Sequence, residues 1–123
     1  MKRRFTRSDN TRYGKRHTPG EMNKTETEYA DMLQLRKLAG EIIRFDFEAI
    51  TLKIAKDCRY TPDFAIWLSN GQMEFVDCKG AGPMDDKSRV KAKVAAEAFP
   101  QFNFVIEQKQ TRANGGGWNR ESF

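Results

Sequence analysis

The chain has 123 residues, 38% of them hydrophobic, and a formal charge of +5. That length supports one domain with a modest core and leaves no room for two. No stretch approaches the roughly 18 apolar residues of a membrane span, and no apolar run follows the basic start as in a signal peptide, so the expected location is the cytoplasm.

Two cysteines, Cys58 and Cys78, and one histidine, His17, exclude the paired ligands of a tetrahedral zinc site. A Cys58–Cys78 disulfide is not expected in a reducing compartment. Any bound metal should be a hard cation held by oxygens, Mg²⁺ or Mn²⁺. The charge is uneven. Residues 1–20 carry +6, including Arg3 and Arg4, residues 21–108 carry −3, and residues 109–123 carry +2. Basic arms suit nucleic acid, because each phosphate contact releases counterions, although a solubilising tail has the same composition.

Residues 1–20 lack apolar periodicity and end in the turn signal Thr18-Pro19-Gly20, which predicts a disordered arm. Residues 22–39 read as a helix with Tyr29, Met32, Leu33, Leu35 and Ala39 on a broad apolar stripe and Gly40 as its stop. Two capping boxes compete at its start, Asn23 with Glu26 and Thr25 with Glu28. Residues 42–54 read as one long strand. Its alternation changes phase after Phe47, which predicts a bulge near Glu48-Ala49. A second strand is predicted over 60–68 and a third over 72–79, joined at Ser69-Asn70-Gly71. A helix over 86–99 follows, begun by Asp85-Asp86 and stopped by Pro100. A last strand is predicted over 102–108, and the tail from Lys109, with Gly115-Gly116-Gly117, reads as flexible. The order α-β-β-β-α-β indicates an α/β domain over 21–108 with a mixed sheet.

The chemistry concentrates at two acids separated by the hairpin. Asp77 and Lys79 lie two apart on a strand and so share a face. A carboxylate beside an ammonium suits phosphodiester hydrolysis, the acid holding a metal and the lysine offsetting charge on the phosphate. A two-residue turn at Asn70-Gly71 would set Asp63 opposite Cys78, away from Asp77. A three-residue loop with a left-handed Gly71 would set Asp63 opposite Asp77, Ala65 opposite Phe75 and Trp67 opposite Met73. Both registers keep apolar pairs, so packing alone does not choose.

Thr61-Pro62-Asp63, the hairpin and Asp77-Cys78-Lys79 resemble the signature of the PD-(D/E)XK nuclease superfamily, whose restriction-endonuclease-like core has this element order. More closely, Met22-Asn23-Lys24-Thr25-Glu26, Tyr60-Thr61-Pro62-Asp63-Phe64, Asp77-Cys78-Lys79-Gly80 and Val90 through Ala96 resemble a family of small phage and prophage proteins placed in that superfamily. Many of those relatives have Glu where Asp77 stands. The resemblance covers about residues 22–107. It implies a Mg²⁺- or Mn²⁺-dependent endonuclease acting on DNA, with Asp63 and Asp77 as metal ligands and Lys79 as the catalytic lysine. It also implies a third acid from the first helix. Glu26 occupies the matching position, and periodicity leaves Glu28 as its rival. Junction resolvases in the superfamily are small and commonly dimeric, so a homodimer on branched DNA is one expectation; a nickase is another.

In the second helix Lys87, Arg89, Lys91 and Lys93 form two rows around Val90, Val94 and Ala98, which are expected to face inward. The basic rows are candidates for phosphate contact, or an ordinary solvated face. Trp67, Phe75 and Phe104 are expected in the core, Cys78 as a buried apolar residue, and Trp118 on a base or a partner chain. The main alternative to an enzyme is a nucleic-acid-binding module without catalysis.

Overall fold

The computed structural model describes residues 20–123. The expected arm, with Arg3, Arg4 and His17, lies outside them. Helix α1 (Lys24–Leu38) opens on the first of the two competing boxes. Glu26 N–H donates to the Asn23 side chain at 2.8 Å, and Asn23 N–H donates to Glu26 Oε1 at 2.9 Å. Tyr29 and Leu33 are fully buried, whereas Leu35 is 67% exposed. Two residues past Leu33, Leu35 is turned about 200° around the helix and leaves the stripe.

Strands β1 (Ile42–Phe47), β4 (Phe64–Leu68), β5 (Met73–Lys79), β6 (Asn103–Lys109) and β7 (Trp118–Ser122) make one sheet in the order β1-β4-β5-β6-β7. All neighbours are antiparallel except β5 and β6, which the crossover helix α2 (Asp86–Ala98) joins in parallel. The mixed α/β fold expected from the sequence is therefore present, with α1-β1-β4-β5-α2-β6 as its central order. β2 (Leu52–Ala55) and β3 (Cys58–Tyr60) form a separate two-stranded sheet.

Three expectations need correction. The long strand over 42–54 is two strands in different sheets. Glu48 takes a positive φ of 49°, and the phase change marks the passage between sheets. The bulge lies instead at Ile43, between the paired residues Ile42 and Arg44. The strand over 60–68 is likewise broken at Thr61-Pro62-Asp63, where Pro62 has no N–H to give a ladder. The tail is not loose. β7 pairs with β6 from Lys109↔Trp118 to Val105↔Ser122, and Trp118 packs edge-on against Tyr29 at 5.1 Å.

Strand alternation divides the core. Phe64, Ile66, Val76, Cys78 and Val105 pack with Tyr29 and Leu33 of α1. Ala65, Phe75 and Phe104 form a second cluster with Ile54 and Tyr60 of the small sheet and Ala95 of α2. Both faces of β5 are covered, so its run Glu74–Cys78 is buried without a break. Within α2 the inward residues are Ala92 and Ala95, while Val90 is 55% exposed. The small side chains let the helix sit close to the sheet; of the predicted inward line, Val94 packs against the second cluster, while Val90 and Ala98 are exposed. Both cysteines are free. Among the described residues no helix is long and apolar enough to cross a membrane.

Candidate active site

The β4–β5 turn decides which acids meet. Gly71 has a φ of +91°, a region closed to most side chains. Its N–H donates to Leu68 O at 3.0 Å, and Leu68 N–H donates to Gln72 O at 2.9 Å, which closes a three-residue loop. The ladder then runs Trp67↔Met73, Ala65↔Phe75 and Phe64↔Val76. One step further, Asp63 meets Asp77. Asp63 N–H donates to Asp77 Oδ1 at 3.1 Å, and Cys78 N–H donates to Asp63 Oδ2 at 2.8 Å. Each carboxylate is thus held by the other strand's backbone.

Asp77 is buried, and its second oxygen accepts from the Tyr60 hydroxyl at 2.7 Å. Burial, then the negative charge of Asp77, pushes the Asp63 carboxyl well above the ordinary carboxylate range; Glu26 adds to the rise, while the Cys78 N–H and Lys79 oppose it. Burial and the same acids push the Cys78 thiol up, which keeps it neutral and agrees with its reading as a buried apolar residue.

Glu26 is buried in the first turn of α1. That turn lies against the end of β5, where a side chain on Gly80 would stand 3.6 Å from Thr25 Oγ1. Glu28 points elsewhere. It forms an ion pair with Lys109, and the hydrogen bond from that lysine holds its carboxyl below the usual range. Of the two rivals, Glu26 is the one whose charge acts on Asp63. Lys79 is half-buried and lines a cavity of about 280 Å³ with Gly80, Ala81, Pro83, Met84, Asp85 and Ser88.

The basic residues of α2 separate. Lys87 and Lys93 are exposed. Arg89 is drawn into an ion pair with Glu121 of β7 at 2.9 Å, and Lys91 Nζ donates to Arg59 O of β3 at 3.3 Å. Tyr60 was not among the sequence candidates. Its spacing from Asp77 carries no local signal, because the two meet only once β3 folds over the sheet.

Among the described residues no group of three or more His, Cys, Asp or Glu side chains is arranged to hold a metal ion. The donor chemistry of the pair nevertheless fits a hard divalent cation. Asp63 and Asp77 are crowded carboxylates whose repulsion a cation would relieve, and Glu26 is the nearby third acid.

No curated protein and no solved structure matches the chain. Residues 21–113 match the model of a family described as a protein of unknown function (DUF1064), a span that stops short of β7. By that match the chain belongs to the DUF1064 family.

Proposed function

We propose that this protein is a divalent-metal-dependent endodeoxyribonuclease of the PD-(D/E)XK type. One observation carries the reading: Asp63 and Asp77 are clasped across adjacent strands, with Lys79 two residues further along the same strand. Asp63 and Asp77 would hold Mg²⁺ or Mn²⁺, with Glu26 completing the acidic cluster. When bound, such an ion polarises a phosphodiester and makes water a stronger nucleophile. Lys79, which lines an open cavity, would offset negative charge on the phosphate. Exposed Lys87 and Lys93, and Arg3 and Arg4 of the basic N-terminal segment, are the proposed contacts to neighbouring phosphates. A junction-resolving enzyme of a phage, dimeric and cytoplasmic, is the finer form of this reading.

The test is cleavage of supercoiled plasmid and a synthetic four-way junction with Mg²⁺, Mn²⁺ or EDTA. Cutting that needs metal and is lost in Asp77→Asn and Lys79→Ala is the expected result. Preference for the junction selects the resolving enzyme over a nickase.

The two-acid arrangement also supports a second reading, a nucleic-acid-binding module that does not cut. It predicts DNA binding that survives Asp77→Asn and no cleavage with any metal.

A further inference from the structure

We infer that Tyr60 is a positioning residue of this site, its hydroxyl fixing the Asp77 carboxylate in the orientation that receives a cation; the inference rests on the nuclease reading.

Tyr60 is 6% exposed and sits in the cluster with Ile54, Ala65, Phe75 and Phe104. Packing there asks only for an aromatic ring, which phenylalanine would supply. The hydroxyl is a polar group in a largely apolar place, and its hydrogen bond at 2.7 Å goes to Asp77 Oδ2. Asp77 Oδ1 is engaged by Asp63 N–H at 3.1 Å. The carboxylate is therefore pinned at both oxygens and cannot rotate freely about its terminal torsion. Each carboxylate oxygen offers two acceptor directions, so the two bonds leave one on each oxygen for a further partner. Fixing a ligand by an outer hydrogen bond is a general means of raising metal affinity, because the ordering cost is met before the ion arrives.

The surrounding elements serve the same placement. β2 and β3 give Ile54 and Tyr60 to the second cluster, and the Leu52↔Tyr60 pairing sets Tyr60 on the α2 side of the main sheet. Pro62 then interrupts the strand, so that Tyr60 and Asp63, three residues apart, both reach Asp77. Lys91 of α2 ties down Arg59 O, next to Tyr60. The small sheet thus acts as a brace that delivers one hydroxyl.

The experiment is Mn²⁺ titration of the full chain by calorimetry at a temperature well below melting, comparing wild type, Tyr60→Phe and Asp77→Asn. Thermal melts in EDTA monitor the fold. Tyr60→Phe is expected to weaken Mn²⁺ binding about tenfold or more while remaining folded, and Asp77→Asn should abolish the signal. A purely structural hydroxyl would shift the melt and leave the affinity alone. Mn²⁺ affinity within about twofold of wild type in Tyr60→Phe overturns the role of Tyr60 and leaves the nuclease reading standing. Wild type without measurable Mn²⁺ binding overturns both.

Discussion

The sheet buries carboxylates in two places and treats them differently. On the α1 face, Glu74 of β5 and Glu107 of β6 are both nearly inaccessible. Arg120 of β7 makes ion pairs with each, at 3.0 Å to Glu107, and Tyr29 donates to Glu107 at 3.2 Å. A guanidinium is the usual answer to buried acids, since its fork offers several donors and a full charge. On the other face and at the end of β5, Asp63 and Asp77 have two backbone N–H groups, the Tyr60 hydroxyl and the more distant charge of Lys79. Among the described residues no arginine forms an ion pair with them. The chain can neutralise buried carboxylates and does so at Glu74, three residues before Asp77 on the same strand. Leaving the second pair crowded favours a site kept ready for a cation over a pair that merely stabilises the fold.

The two pairs of acids should differ most at Asp77. Asp77→Asn keeps the shape and removes one charge. Cleavage is expected to fall by at least about a hundredfold, the scale of losing one group that stabilises charge in a transition state, as read from plasmid-nicking rates. Far-ultraviolet circular dichroism should remain that of wild type. Arg120→Ala should do the reverse. It strands Glu74 and Glu107, whose burial then has no counter-charge, and should cost about 3–5 kcal/mol in urea denaturation. If Arg120→Ala proved neutral while Asp77→Asn unfolded the protein, the assignment of one cluster to structure and the other to chemistry would be inverted.

How far this was legible from the sequence follows from how local each signal is. Asp77 and Lys79 share a face by strand period alone, and Ser69-Asn70-Gly71 contains the glycine that the required register needs. The choice between registers was open because both pair apolar residues, and the left-handed Gly71 settles it. The capping box at Asn23 was legible as one of two. The small sheet was hidden because its first strand leaves the main sheet after Glu48, a residue with positive φ that carries no glycine signal. β7 was hidden behind three consecutive glycines. Its reason to pair, Arg120 reaching Glu74 and Glu107, exists only after β5 and β6 are side by side. Tyr60 was missed on the same ground. Long-range polar contacts leave no period to count.

A pH experiment sharpens the contrast at smaller scale. The Asp63 carboxyl is raised above its unfolded value, chiefly by burial and then by Asp77. The native state therefore holds this proton more tightly than the unfolded chain. Its contribution to stability is full below the unfolded value and is lost as pH rises through the raised one. Metal-free protein should accordingly lose stability on going from about pH 5 to pH 8, by on the order of 1 kcal/mol or more. Asp63→Asn should flatten that part of the profile. Urea melts in EDTA across the range measure it, and a wild-type profile that rises instead would remove the crowded-acid argument.

The smallest expected effects separate the basic residues of α2. Lys87 and Lys93 stand in solvent, so their removal should leave urea stability within about 0.5 kcal/mol of wild type. If either touches a phosphate, its loss should reduce the slope of log affinity against log salt by about 0.9 in a titration with duplex DNA. Arg89 faces β7 through Glu121 with both side chains 38% exposed, so Arg89→Ala should cost up to about 1 kcal/mol of stability and leave the salt slope alone. Lysines and arginine on one helix, alike in sequence, would then be divided by what β7 brings beside them. An unchanged slope in both lysine variants would move the phosphate contacts off α2, and the basic N-terminal segment would become the next place to substitute.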